Sequence, residues 1–143
     1  MAGGDTGRVG AGATSPVERL IEQGLDSGFD LAMSWEAPVD HAFLSPVNTM
    51  HGTRPVPPLV PIWVNAFLAP QPTPKRCFDF GRAIGRAIAR WPEQARVAVI
   101  GSGGLSHFVI DEAFDHRILD AFQRDDVDAI TGENDALFRS GTS

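Results

Sequence analysis

Val97 to Val109 reads VAVIGSGGLSHFV: a short apolar run, four small residues in Gly101 to Gly104, and then a histidine at 107. An apolar run of this length, bounded by glycines, is the pattern of a strand buried on both faces of a covered sheet. Small residues just past a strand let a backbone approach a ligand closely. The run RVAVI, Arg96 to Ile100, therefore sets the expectation of a sheet, and the loop behind it sets the expectation of a site.

Working outward, two more apolar runs read as strands: FDLAMSW, Phe29 to Trp35, and LVPIWVNAF, Leu59 to Phe67. Helical patterns alternate with them. Ser15 is a good N-cap, Pro16 suits the first helical position, and Glu18 completes a capping box. Val17, Leu20, Ile21 and Leu25 follow at helical spacing, with Gly28 as the stop. EAPVDHAF reads as a loop, and Ser45 to Met50 as a short helical turn. Pro70, Pro72 and Pro74 stiffen the next segment. Thr73 and Pro74 open a helix running to about Arg90, with Cys77, Phe80, Ile84, Ala87 and Ile88 on one face and Arg82, Arg86 and Arg90 on the other. Phe114 to Gln123 is a further helix, with Phe114, Ile118, Leu119 and Phe122 inward, and Val127 to Phe138 a weaker one. The fold class expected is α/β: a partial three-layer sandwich whose mostly buried, largely parallel or mixed sheet is flanked by helices.

With 143 residues the chain is long enough for one domain with a core, and its 43% hydrophobic share with 15 Gly and 11 Pro is a globular composition. Residues 1–14 have no apolar period and read as a loose leader, leaving 15–143 as the domain. A net charge of -6 without a basic stripe argues against nucleic acid as partner. Cys77 is the single cysteine, so neither an internal disulfide nor a cysteine zinc cluster is expected. No apolar run has membrane-spanning length and no signal-peptide stretch is visible, so the expectation is a cytoplasmic protein with no membrane partner.

Several chemistries can be weighed for the glycine loop. Gly101 and Gly103 match the start of a dinucleotide fingerprint, but that loop needs a helix at once and a second strand ending in an acid. A Walker loop and a nucleophile elbow are excluded, since neither Gly-Lys-Ser/Thr nor G-x-S-x-G occurs. The remaining candidate is a catalytic histidine at a strand's C-terminal edge, where open α/β sheets bind ligands. Asp40 and His41 also follow an expected strand, so parallel strands would put His41 and His107 over one edge. The alternative, two satisfied loop histidines, stays open at this point. His51 reads as a turn residue or pocket liner and His116 as a solvated helix residue; no H-x-x-x-H or H-x-H spacing forms a local metal clip. Trp63 reads as core, Trp35 as core or pocket wall, and Cys77 as a small core residue. The three helix arginines read as a solvated face, and Asn65 lies near the expected edge.

VDHAF, then VPIWVNAFLAPQPTPKRCFDFGRAIGRAI, then VAVIGSGGLSH resemble the class III extradiol ring-cleavage dioxygenases, and within them the catalytic (beta) subunit of the protocatechuate 4,5-dioxygenase type. The likeness runs from about Pro16 to Ser143, and GSGGLSH is its most specific piece. The resemblance implies a catecholic aromatic acid such as protocatechuate or gallate as substrate, O2 as co-substrate, and non-haem Fe(II) as cofactor. It implies His107 as the base that removes a catechol proton and His41 as the group that positions oxygen or returns a proton. Gly103, Gly104, Ser106 and Asp40 would then border the substrate. In the resembling family two iron-binding histidines lie upstream of anything matched here, and the iron-binding glutamate follows the pattern seen as FRSGTS. No metal ligand is therefore expected within this chain, which reads as the central part of a catalytic domain, with Fe(II) held by the full-length parent. A small partner subunit or a homo-oligomer is left open. A non-catalytic remnant or interaction module of the same fold is the alternative, and a nucleotide-binding α/β domain a weaker one.

Overall fold

The computed structural model describes residues 15–36, 39–66 and 68–133. Five helices succeed one another among them: α1 (Pro16–Asp26), α2 (His41–His51), α3 (Pro74–Ala89), α4 (Glu112–Gln123) and α5 (Val127–Thr131). The expected leader 1–14, Phe67, and the stretch from 134 onward, including FRSGTS and the end of the last expected helix, lie outside the described residues.

The helix starts follow from local chemistry. Ser15 Oγ accepts from the Glu18 amide at 3.2 Å, and the Glu18 carboxylate accepts from the Ser15 amide at 2.7 Å, the expected reciprocal cap. Thr73 Oγ1 accepts from the Arg76 amide at 3.2 Å, with Pro74 in the first turn of α3. Asp111 and Asp126 cap α4 and α5 in the same way. Gly132 ends α5 well short of the expected boundary.

α1 and α3 form the main helix pair. Gly28, at φ 79°, turns the chain after α1 so that Phe29 tucks against Phe80 of α3 with ring centroids 5.1 Å apart. The Arg76 guanidinium lies 3.9 Å over the Phe29 ring and donates to the Gly28 carbonyl at 2.9 Å. Arg86 donates to Ser27 Oγ at 2.9 Å and Arg90 to Gln23 Oε1 at 2.8 Å. Arg86 and Arg90 are thus exposed, as expected of a solvated face, and also tie α3 to α1. Ala83 and Ala87 are the buried residues of α3, and Phe114, Ile118 and Ala121 those of α4. α5 closes over α4 and α3.

The α/β expectation is overturned: the described residues contain helices and no strand. The runs 29–35, 59–66 and 96–100 make no backbone hydrogen bonds to one another, and apart from Phe29, which packs on α3, none of their residues is buried; Val99 is 74% exposed. A strand exists through ladder bonds to a neighbour, whereas an apolar run records only a need for burial. Without that ladder the middle layer of the expected sandwich is absent from these residues. The same cause corrects single residues. Trp63, expected in the core, is 53% exposed and meets Phe43 edge-on at 4.8 Å. Leu119 and Phe122, expected inward, are exposed on α4, where Ala121 takes the buried position. Cys77 is exposed as well.

Candidate active site

The glycine loop is set by its own backbone and by α4. Gly103 has φ 140°, a conformation side-chain-bearing residues rarely adopt. Three residues on, Ser106 is gripped by Asp115. Its amide donates to Asp115 Oδ1 at 3.0 Å and its hydroxyl to Oδ2 at 2.7 Å, while the Asp111 amide donates to Ser106 Oγ at 3.1 Å. Asp111 in turn accepts from the Phe114 amide at 2.9 Å, so the loop and the start of α4 are one hydrogen-bonded unit. His107 follows directly. It is exposed, with its ring 4.7 Å from that of Phe108 at an interplanar angle of 57°.

Asp40 and His41 do not lie on a strand-end loop. Asp40 is the N-cap of α2, its Oδ1 accepting from the Ala42 amide at 3.0 Å, and His41 is the first residue of that helix, exposed. The glycine loop reaches this point directly, since Ser102 Oγ donates to the Ala42 carbonyl at 2.7 Å. The segments bearing His41 and His107 are thus joined by a hydrogen bond. A shared sheet edge, the reason given by the sequence, plays no part. Ser106 and Asp40 spend their polar atoms on this framework. Sequence reasoning passed over Ser102 and Asp115. The visible signal for Ser102 was Pro46, whose missing N–H leaves the carbonyl of Ala42 without its usual helical donor.

Beside the loop lies a largely apolar cavity of about 430 Å³, bordered by Gly104 and Leu105, by Cys77 and Phe78 of α3, and by Ile118 and Phe122 of α4. Desolvation there pushes the Cys77 thiol above its ordinary range, although the residue as a whole is exposed. Asn65 also borders the cavity. Its side-chain amide donates to the Leu68 and Pro70 carbonyls at 2.6 and 2.9 Å, so it shapes a turn. A second, polar groove of about 380 Å³ between α1 and α3 is lined by Arg76, Arg82, Arg86, Asp26 and Asp79 and by none of the expected site residues. The hydrogen bond from Lys75 at 2.6 Å holds the Asp79 carboxyl below its ordinary range.

Among the described residues no three His, Cys, Asp or Glu side chains gather to hold a metal ion. His51 ends α2, with its Nδ1 buried and without a hydrogen-bond partner among the described residues, and His116 is exposed on α4. The described residues therefore do not fit an Fe(II) site. No described helix is long and apolar enough to cross a membrane.

Residues 17–141 match the family model described as the catalytic LigB subunit of aromatic ring-opening dioxygenase. The chain is 40% identical over 88 residues to a 2,3-dihydroxyphenylpropionate/2,3-dihydroxicinnamic acid 1,2-dioxygenase of Photorhabdus laumondii, covering 62% of this chain and 27% of that protein. It is 36% identical over 105 residues to the gallate dioxygenase of Pseudomonas putida, covering 71% and 31%. It is 38% identical over 109 residues to 2,3-dihydroxyphenylpropionate/2,3-dihydroxicinnamic acid 1,2-dioxygenase 2 of Pseudomonas putida, covering 73% and 33%. The chain thus spans about a quarter to a third of the length of these relatives. No solved structure matches it significantly.

Proposed function

We propose that this chain, which belongs to the family of the catalytic LigB subunit of aromatic ring-opening dioxygenases, carries the proton-transfer part of an extradiol dioxygenase acting on a catecholic aromatic acid such as protocatechuate or gallate. The observation that carries the reading is the bond from Ser102 to Ala42, which joins the GSGGLSH loop to the start of α2 and so associates the segments of His107 and His41. In this reading His107 accepts a proton from a catechol hydroxyl, and His41 positions oxygen or returns a proton after the ring opens. Gly103 and Gly104 leave room for the ring against the backbone, while Ser106 and Asp40, through their bonds to α4 and α2, hold the border of the site in shape.

Residues 15–143 act in this reading as the central part of one catalytic domain of a cytoplasmic enzyme. Two observations support a larger whole: the share of each relative that the chain spans, and the uncovered apolar runs at 59–64 and 97–100. The Fe(II) on which ring cleavage depends in the resembling dioxygenases is assigned to ligands elsewhere in that whole. A small partner subunit or a second copy completes the assembly.

In a catalytic subunit that carries this segment, His107→Ala should lower turnover by about 10²–10⁴-fold, the usual weight of a general base, while bound iron stays near one equivalent. Loss of the iron instead would make His107 a ligand and end the assignment. The 143-residue chain alone, loaded anaerobically with Fe(II), should neither keep the metal through gel filtration nor turn gallate into a yellow ring-opened product. Bound iron with steady turnover would place the ligands inside the chain. A longer subunit with iron but no ring cleavage would favour the non-catalytic module.

A further inference from the structure

α2 carries a proline in its interior, Pro46. Proline has no N–H, and in an α-helix that N–H would serve the carbonyl four residues earlier. Here that carbonyl belongs to Ala42, and the Ser102 hydroxyl donates to it at 2.7 Å from a loop 60 residues away in sequence. The loop supplies what the proline withholds. Both ends of this contact adjoin a candidate proton-transfer group: Ala42 follows His41, and Ser102 opens the short path to His107. That path has little slack, because Gly103 holds φ 140° and Ser106 is bonded at both its amide and its hydroxyl to Asp115 of α4.

We infer that Pro46, Ala42 and Ser102 form a clasp that sets the spacing of His41 and His107, which makes Ser102 a positioning residue for ring cleavage. The inference rests on the function proposed above, but the clasp can be tested without turnover. In the 143-residue chain, Ser102→Ala should move the imidazole NMR resonances of both His41 and His107. It should also raise the hydrogen-exchange opening constant of the hydrogen-bonded Ser106 amide roughly two- to tenfold, the range set by one net hydrogen bond. Ser102→Thr keeps the hydroxyl and should restore both readouts.

Pro46→Ala supplies the second arm, since alanine favours the helix and gives Ala42 an intrahelical donor. In that background Ser102→Ala should change the opening constant less than about twofold, the signature of two groups competing for one acceptor. Independent, multiplying effects of the two substitutions would overturn the clasp, as would unmoved His41 resonances in Ser102→Ala. In a catalytic subunit carrying this segment, Ser102→Ala should lower kcat severalfold, with KM held and Ser102→Thr restoring the rate. A clasp present by NMR in a subunit without turnover would count against the function alone. An active subunit indifferent to Ser102→Ala would count against positioning alone.

Discussion

Asp115 is the anchor of the glycine loop, and replacing it by alanine gives a measurable account of how firmly that loop is held. The substitution removes two acceptors at once: Oδ1, which takes the Ser106 amide at 3.0 Å, and Oδ2, which takes the Ser106 hydroxyl at 2.7 Å. Hydrogen bonds to a charged group contribute about 1.5–3 kcal/mol each to stability. Both bonds are only partly buried, so water can replace some of what is lost, and the pair together should be worth about 1.5–3 kcal/mol. Asp115 also lies in the first turn of α4, where a negative charge adds about 0.3–1 kcal/mol against the helix dipole. Asp115→Ala should therefore destabilise the chain by about 2–4 kcal/mol, a large part of a typical 5–15 kcal/mol. Asp115→Asn keeps one acceptor oxygen and should cost about half as much. Urea unfolding followed by far-UV circular dichroism would read these differences, provided the slope with denaturant is unchanged. A loss below about 0.5 kcal/mol for Asp115→Ala would refute the reasoning, because it would mean that water holds Ser106 as well as the carboxylate does.

Gly81 and Gly85 lie inside α3 with open space where a Cβ would stand, so Gly81→Ala and Gly85→Ala should each raise stability by about 0.4–1 kcal/mol in the same unfolding assay. Gly24→Ala should show the opposite sign, since its Cβ would lie 2.5 Å from Leu31 Cδ1 and 3.1 Å from Cγ; a stabilised Gly24→Ala variant would mean that Leu31 moves freely. Desolvation favours the neutral thiol of Cys77, so iodoacetamide should alkylate it more slowly than free cysteine near pH 8, with the gap closing as pH rises. The linked sign for stability follows: the folded thiol's raised pKa contributes below the unfolded value, and that contribution fades as pH climbs through the folded one. Equal alkylation rates across that range would show the thiol to be fully hydrated.

The sequence by itself determined the starts of α1 and α3. Ser15 with Glu18 and Thr73 with Pro74 act within one turn of where they stand, and the structure has these caps. It also pointed to the family, through GSGGLSH and the motifs before it, because a loop built from glycines, serine and histidine in fixed order is legible as a string. His41 was less legible. EAPVDHAF reads as a loop and Ser45 to Met50 as a short helical turn, whereas one helix runs from His41 through Pro46 to His51, with Ser102 beside the carbonyl the proline leaves without a donor. Arg86 and Arg90 are exposed as read, but their bonds to Ser27 and Gln23 were not legible, because nothing in their own helix names those acceptors. The sheet was the largest difference. Runs such as VAVI and PIWV state that their side chains favour burial, but a ladder needs a neighbour at the right distance and register, and no local pattern supplies that neighbour. Caps are decided by contacts three residues apart, and ladders and clasps by contacts tens of residues apart; the first can be read along the chain, and the second exist only after it has folded.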